Sequence, residues 1–213
     1  MTVSNKINTW KKFINVIVWL LNMQTKELAL PDRIEIRIAG KGGQGVIKAA
    51  LILAKAAVYA GMNVAQIQNY GPEVRGGNSI SDIVISKPEI DYPGITTVDI
   101  LVVMSQKAYD ANIHYVKPGG IVMADSTVKP SLITTIKTYL IPFTKIAEEV
   151  GNKIFANSVA VGALTAMLGL PKECVIKAMQ SEIPPRFLEK NIIAFHRGYN
   201  ETLKLKAHVS QVI

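Results

Sequence analysis

Three glycines stand where a predicted strand passes into a predicted helix. Gly40, Gly42 and Gly45 have the G-x-G-x-x-G spacing of a phosphate-binding turn. Glycine allows the backbone φ values closed to other residues and a close approach to a diphosphate, and the following helix supplies N–H donors and a positive dipole. The candidate cofactor-binding residues are therefore Gly40, Lys41, Gly42, Gly43, Gln44 and Gly45. A tight strand-to-helix turn without a ligand is the alternative interpretation, and the sequence leaves both open.

Two common nucleotide sites fit this loop poorly. A dinucleotide enzyme usually carries Asp or Glu at the end of the second strand to hold the ribose, and here that position reads Gln66-Ile67-Gln68-Asn69. A P-loop needs Gly-Lys-Ser or Gly-Lys-Thr after the glycines, and neither is present. A free-standing Rossmann-type nucleotide-binding oxidoreductase or module is nevertheless kept as a second functional hypothesis.

A second loop combines an aromatic ring, a proline, an acid, an arginine and adjacent glycines. The candidate substrate or partner residues in it are Tyr70, Gly71, Pro72, Glu73, Arg75, Gly76 and Gly77. A guanidinium beside exposed glycine backbone would suit a carboxylate or a phosphate. Solvated charges at Glu73 and Arg75 are the simpler alternative.

The elements that must position these loops alternate between strand and helix. Short β-branched runs predict strands at Ile34–Ala39, Asn63–Gln68, Ile80–Ser86, Val98–Met104, Ile121–Ala124 and Tyr139–Phe143. Helical spacing of apolar residues predicts helices at Val46–Ala60, Ser105–Val116, Thr144–Val150, Asn157–Leu168, Pro171–Gln180 and Pro185–Lys204, with a turn at Lys117–Gly120.

This order predicts an α/β fold, a Rossmann-like open and mostly parallel sheet with right-handed crossovers and a C-terminal helical portion. Ligands of such sheets bind beyond the carboxyl ends of the strands. We therefore expect one crevice lined by Gly40–Gly45, Asn69–Asn78, Ser105-Gln106 and Asp125-Ser126.

Composition excludes several classes of site. The chain has 213 residues, 49% of them hydrophobic, a formal net charge of +8 and one cysteine, Cys174. A lone thiol cannot form a disulfide framework, and it cannot hold an iron–sulfur cluster, which takes about four thiolates. His114, His196 and His208 have no metal-ligand spacing, and basic residues are not clustered. We therefore predict no metal site, no catalytic residue and no nucleic-acid partner on this chain.

The chain divides into an N-terminal extension, residues 1–33, and a single domain, residues 34–213. Trp10, Phe13, Ile14, Ile17, Val18 and Leu21 fall on one helical stripe. The apolar run is shorter than the roughly 20 residues that span a bilayer and has no small-x-small cleavage site. An amphipathic helix docked on a partner or membrane surface and a segment upstream of a translation start at Met23 are the two open interpretations; we expect no membrane anchoring of the domain itself.

Taken together, the two loops resemble those of a known family. Gly42-Gly43-Gln44-Gly45 followed by Tyr70-Gly71-Pro72-Glu73-Val74-Arg75-Gly76-Gly77 is similar to the gamma subunit of the 2-oxoacid:ferredoxin oxidoreductases. The resemblance covers roughly Ile34 to Gly198, and the Tyr-Gly-Pro-Glu form is closer to the 2-oxoglutarate and branched-chain enzymes than to the indolepyruvate ones. Lys41 stands at a position that varies in the family.

The resemblance implies a subunit of a cytoplasmic complex that converts a 2-oxoacid, coenzyme A and oxidised ferredoxin into acyl-CoA, CO₂ and reduced ferredoxin, with 2-oxoglutarate as the expected substrate. It implies thiamine diphosphate, magnesium and the iron–sulfur clusters on alpha, beta and ferredoxin-like delta subunits. Coenzyme A is the ligand that it associates with this fold, and the diphosphate would suit the Gly40–Gly45 loop. The chain alone is then expected to be inactive; a purely architectural subunit is a third hypothesis.

Overall fold

The computed structural model describes residues 31–70 and 77–210. The strands are β1 (Arg33–Lys41), β2 (Asn63–Tyr70), β3 (Asn78–Ser86), β4 (Val98–Val103), β5 (Val116–Asp125) and β6 (Lys137–Ile141). The helices are α1 (Val46–Tyr59), α2 (Gln106–Asn112), α3 (Phe143–Val150), α4 (Ala156–Leu168), α5 (Lys172–Glu182) and α6 (Pro185–Ser210), with 3₁₀ turns at Ile113–Tyr115 and Lys153–Phe155. Residues 1–30 of the predicted N-terminal extension lie outside the described residues.

The strands form one six-stranded sheet in the order β2-β3-β1-β4-β5-β6. The pairs β1–β4, β4–β5 and β5–β6 are parallel, whereas β3 runs antiparallel to both β1 and β2. Parallel neighbours need a crossover of a dozen or more residues, and the chain between Tyr70 and Asn78 is too short to make one. The predicted α/β class with a mostly parallel sheet is confirmed, and the antiparallel β2–β3 hairpin is the feature that the sequence prediction lacked.

One predicted turn is wrong. Lys117–Gly120 lies inside β5, which pairs with β4 through Val98↔Val116 and then resumes at Ile100↔Ile121. The extra residues form an irregularity in the strand, and Gly119 takes a φ of 81° there. The helix before it accordingly ends at Asn112, earlier than predicted. Proline and glycine pairs are as typical of such a bulge as of a turn, because both interrupt a ladder of hydrogen bonds.

The two faces of the sheet are covered unequally. The larger core packs α1, α3, α4, α5 and α6 against one face, through strand residues such as Ile36, Ile38 and Val102. On the other face α2 and the segment around Val128 cover Ala39, Leu101 and Val103 in a smaller cluster. No helix within the described residues is long and apolar enough to cross a membrane.

Helices α4 and α6 cross at contact distance between their backbones. A Cβ added at Gly162 would lie 2.0 Å from the carbonyl oxygen of Phe195, and one added at Gly198 would lie 2.1 Å from that of Val159. Real Cβ atoms do not approach backbone oxygens so closely. The crossing therefore requires glycine on both helices, and it fixes the C-terminal helix on the core.

A buried ion pair joins β1 to β3. Arg37 and Asp82 face each other across the strands and are 7% and 5% exposed. Two hydrogen bonds connect them, from Nε at 2.7 Å and from Nη2 at 2.8 Å, while Nη1 donates to Asn112 at 3.3 Å. The hydrogen bond to Asp82 raises the pKa of Arg37. Since both charges are satisfied by partners, the pair holds the hairpin to the parallel part of the sheet.

Candidate functional site

The glycine loop and the second loop begin at the same edge of the sheet. Lys41, the last residue of β1, pairs with Asn78, the first residue of β3. The N–H of Gly42 donates to the carbonyl oxygen of Gly77 at 2.9 Å. Tyr70 ends β2 opposite Ser79, so both ends of the hairpin loop lie at the carboxyl end of β1.

Of the second loop, the structure describes only its two ends. The backbone of Tyr70 and the residue Gly77, which is buried, belong to the described part. Gly71, Pro72, Glu73, Arg75 and Gly76 lie outside it. The prediction that they meet a substrate or a partner therefore stays a prediction, although Gly77 is hydrogen-bonded to Gly42 of the glycine loop.

Gln44 fixes the shape of the glycine loop with its side chain. Its Oε1 accepts a hydrogen bond from the N–H of Lys41 at 2.6 Å, and its Nε2 donates to the carbonyl oxygen of Met104 at 3.0 Å. A Cβ at Gly40 would lie 2.7 Å from that same Oε1. The side-chain amide thus ties the turn to the end of β4, an internal role that the sequence prediction of a cofactor-binding residue did not contain.

Gly43 and Gly45 have left-handed backbone conformations, with φ of 91° and 75°. Gly45 is the N-cap of α1, and a Cβ there would lie 2.6 Å from Nδ2 of Asn157 at the start of α4. A Cβ at Gly43 would meet nothing within 4 Å. The backbone of the turn is therefore open to a ligand at Gly43 and closed by packing at Gly45.

The electrostatics of this edge favour an anion. The first turn of α1 has no acidic residue, and exposed Lys41 lies within the glycine loop; Lys48 of the same turn is paired with Glu182 at 2.9 Å. The N–H groups of a first helical turn have no partner within the helix, and they carry the positive end of its dipole. A diphosphate or carboxylate placed over Gly43 would meet these donors, so the residues present fit such a group.

The other two strand ends serve as helix caps. Ser105 is the N-cap of α2, and its Oγ accepts from the N–H of Ala108 at 3.3 Å. Asp125 is 1% exposed; its Oδ1 accepts from Thr127 Oγ1 at 2.7 Å, and its Oδ2 accepts from the N–H of Thr144 at 2.7 Å. Both caps lie at the carboxyl ends of their strands, where the sequence predicts the crevice. The Asp125 carboxylate already has internal donors, so it stabilises the start of α3.

The strand order also bears on the dinucleotide hypothesis. In a Rossmann site the second strand lies parallel and adjacent to the first, which places its final acid beside the glycine turn. Here β3 separates β2 from β1 and runs antiparallel to both. The position that would hold a ribose is therefore not formed by Gln66–Asn69, in agreement with the absence of an acid there.

The remaining candidate groups are structural. Cys174 is buried, and burial raises the pKa of its thiol. His114 stacks near Tyr115, with ring centroids 4.2 Å apart, and His196 contacts the ring of Phe195. Within residues 31–70 and 77–210, no three His, Cys, Asp or Glu side chains are grouped to hold a metal ion.

Fold and site together define a class: an α/β domain with a glycine turn whose exposed backbone suits an anion and, in the part of the chain that the structure describes, no grouped metal ligands. The family model of pyruvate ferredoxin/flavodoxin oxidoreductase matches residues 35–201. The chain belongs to this family, as a gamma-type subunit of a multi-subunit 2-oxoacid:ferredoxin oxidoreductase.

Individual relatives agree with this assignment. The 2-oxoglutarate synthase subunit KorC of Archaeoglobus fulgidus is 46% identical over 171 residues, covering 80% of this chain and 88% of the relative. The subunit of the same name in Methanocaldococcus jannaschii is 45% identical over 181 residues, covering 81% and 96%. The solved gamma subunit of a keto/oxoacid ferredoxin oxidoreductase from Geobacter sulfurreducens superposes with a TM-score of 0.70 at 37% identity, covering 80% of this chain and 99% of that one.

Proposed function

We propose that the chain is the gamma subunit of a 2-oxoglutarate:ferredoxin oxidoreductase, which forms succinyl-CoA, CO₂ and reduced ferredoxin from 2-oxoglutarate, coenzyme A and oxidised ferredoxin. The observation that carries the choice of substrate is the identity of 46% and 45% with two 2-oxoglutarate synthase subunits over most of their length. Alpha and beta subunits, and a ferredoxin-like delta subunit, are the proposed partners, and the cytoplasm is the proposed location.

We propose further that the Gly40–Gly45 loop contacts the diphosphate of coenzyme A. Three features support this: Gly43 is open to the outside, the N-terminus of α1 follows directly with no acid in its first turn, and exposed Lys41 adds positive charge within the loop. The loop Tyr70–Gly77 begins and ends beside this site and would meet the substrate or a partner chain. Bound coenzyme A would supply the thiol that accepts the acyl group.

The thiamine diphosphate, magnesium and iron–sulfur clusters are assigned to partner chains. A single buried cysteine cannot supply the thiolates that a cluster needs. This chain then contributes binding and orientation at the glycine loop, while electron transfer takes place on other subunits. Its activity is expected only in the assembled complex.

Anaerobic co-purification tests this proposal. The chain is tagged and expressed in its own cells, bound chains are identified by mass spectrometry, and dye reduction is measured with 2-oxoglutarate, pyruvate and 2-oxoisovalerate, each with and without coenzyme A. We expect thiamine- and cluster-bearing chains and the highest kcat/KM with 2-oxoglutarate. If the chain only associated with itself, the proposed complex would be contradicted. A higher kcat/KM with pyruvate or 2-oxoisovalerate would contradict 2-oxoglutarate as the proposed substrate.

A further inference from the structure

A groove opens between the start of α4 and the junction of α5 with α6. We call it the α4/α6 groove; Lys48, Ile154, Phe155, Ile183, Pro184 and Phe187 are among the residues that line it. Its volume is about 160 Å³. A protein cavity of about 150 Å³ holds one benzene ring, so the groove has room for one large apolar side chain.

Apolar side chains protrude at the mouth of this groove. Ile154 is 58% exposed and Phe187 is 39% exposed, while Phe155 and Ile183 beneath them are buried. Full burial of a side chain of this size is worth roughly 1.5–3 kcal/mol. Ile154 and Phe187 therefore gain most from a second surface that covers the groove.

The rim of the groove is basic. The guanidinium of Arg186 lies over the ring of Phe187, 4.7 Å from its centroid. The Nζ of Lys190 reaches the Gly151 turn, 3.3 Å from the position of a Cβ there, and the side chain of Lys153 is 71% exposed. Lys48 lines the groove directly. The cations come from separate elements around one opening.

Two carboxylates near this rim, Glu182 and Glu148, are paired with lysines. Glu182 accepts from both Lys48 and Lys55, and Glu148 pairs with Lys153 at 3.1 Å. A single carboxylate shared by two ammonium groups leaves a positive excess. The surface around the groove consequently favours an acidic partner, and arginine is among the residues enriched at interface hot spots.

We propose that the α4/α6 groove receives an acidic segment of another subunit of the complex, with one apolar anchor side chain seated between Ile154 and Phe187. The proposal rests on the assignment of this chain as a subunit of the oxidoreductase. Cations spread over several elements suit an extended protein segment more than a compact ligand. Asn157 lines the groove and also lies against Gly45, so the seated anchor would hold α4 in place behind the glycine loop.

Cysteine footprinting tests the position of the interface. Cys174 is the one cysteine of the chain and is buried, so a cysteine introduced at the surface is labelled selectively by a maleimide. Ile154→Cys and Phe187→Cys probe the groove, and Ile193→Cys and Leu203→Cys, which are 44% and 43% exposed, probe α6 outside the groove lining. Labelling rates are compared between the isolated chain and the purified complex. We expect the groove positions to react at least about tenfold more slowly in the complex, corresponding to about 1.4 kcal/mol of protection.

Charge reversal tests the chemistry of the partner. Lys153→Glu and Lys190→Glu change the rim, and Lys204→Glu changes an exposed lysine that lies away from the groove lining. The double rim variant should weaken binding of the partner chain about tenfold, whereas Lys204→Glu should leave it unchanged. Thermal unfolding of each isolated variant verifies that the chain is folded.

Three results would overturn the inference. Equal labelling of positions 154 and 187 in the free chain and in the complex would show that the groove stays uncovered. If the double variant Lys153→Glu, Lys190→Glu had a raised KM for coenzyme A but assembled like the unaltered chain, the groove would be a ligand subsite. If the unaltered chain assembled with no thiamine-bearing subunit, both this inference and the proposed function would fail, whereas the first two results contradict this inference alone.

Discussion

At the scale of single residues, the glycines of the turn have different tasks. Gly43 has a φ of 91° and open space where a Cβ would lie, whereas Gly45 has a φ of 75° and also leaves room for Asn157. The sequence predicted the turn from its spacing. It could not separate the two glycines, because Asn157 reaches Gly45 only through the packing of α4 on α1.

Gly43→Ala and Gly45→Ala test this difference. The left-handed conformation costs an alanine about 1–2 kcal/mol at either position. At Gly45 the methyl group would also meet Nδ2 and Cγ of Asn157, at 2.6 and 2.9 Å. Urea unfolding should therefore show a larger loss of stability for Gly45→Ala than for Gly43→Ala. Gly61→Ala, with a φ of 82° and open space, is the matched control and should resemble Gly43→Ala.

The sequence pattern did not predict the ion pair between Arg37 and Asp82. Its members are separated by 45 positions along the chain; Asp82 is the one charged residue of β3, and Arg37 is one of four charged residues in β1, with an isoleucine on each side. Such a charge is typical of a solvent-facing position in an alternating strand. Only the antiparallel register of β1 with β3 brings the two together on the same face.

Breaking this pair should be costly. Arg37→Met leaves the Asp82 carboxylate buried without its main partner, and we expect a loss of about 3–5 kcal/mol in the free energy of unfolding. Replacing Asp82 by Leu at the same time removes the unpaired charge and should restore much of this stability. Chemical unfolding of the single and the double variant measures the difference. A single variant as stable as the unaltered chain would contradict the structural role of the pair.

At the scale of elements, the prediction of strands and helices succeeded where the apolar period was regular. Val98–Val103 is almost wholly apolar and is the central strand, with parallel partners on both sides. The sequence predicts Asp125-Ser126 as a strand end that lines the crevice, and nothing local shows that Asp125 will cap a helix beginning at Phe143. Both this cap and the β5 bulge depend on partners that are distant in the sequence, so the local sequence pattern could not predict either of them.

The α4–α6 crossing gives a direct test at this scale. Gly198→Ala gains helix propensity of about 1 kcal/mol, but its methyl group would lie 2.1 Å from the carbonyl oxygen of Val159. Backbone on both sides of the contact has little freedom to move, so we expect a net loss of about 1–3 kcal/mol. Asn200→Ala, at an exposed position of α6, should be neutral or slightly stabilising. Thermal and urea unfolding of both variants measure whether the backbone clash at the crossing outweighs the higher helix propensity of alanine.

The junction of α5 and α6 should make stability depend on pH. Hydrogen bonds from Lys55 and Lys48 lower the pKa of Glu182. The contribution of this carboxylate is therefore fully present above the pKa of an unfolded glutamate, about 4.3, and is lost as pH falls through the lower folded value.

Comparison with Glu182→Gln isolates this contribution. The difference in free energy of unfolding between the unaltered chain and the variant should be constant near neutral pH and shrink below about pH 4. Glu189→Gln, which changes an exposed residue of α6, is the control. A difference that stays constant into acid would show that the lysines do not act through the charge of Glu182.

At the scale of the whole molecule, the single buried cysteine and the family assignment are consistent with the proposal that partner chains hold the cofactors while this chain contributes binding. The sequence predicted both the family and the fold class, because two short loops with unusual composition identify the family jointly. It did not predict the groove at the start of α4. Ile154 and Phe187 come from distant parts of the chain, and neither stands in a motif.

The isolated chain should be catalytically silent. Purified anaerobically without other subunits, it is expected to bind no iron and to reduce no dye with 2-oxoglutarate and coenzyme A, because Cys174 is its one thiol. Metal analysis and a dye assay measure both properties. Addition of the partner chains should restore turnover, and turnover by the chain alone would place the chemistry on this subunit.

The antiparallel hairpin has a consequence for how this family can diversify. β2 and β3 hold the edge of the sheet by pairing with each other and, through β3, with β1. No crossover helix depends on the loop that joins them. Insertions or replacements between Tyr70 and Gly77 should therefore leave the parallel strands and their helices in place. Under the proposed role of this loop in recognition, relatives can then differ in what they recognise without a change of fold.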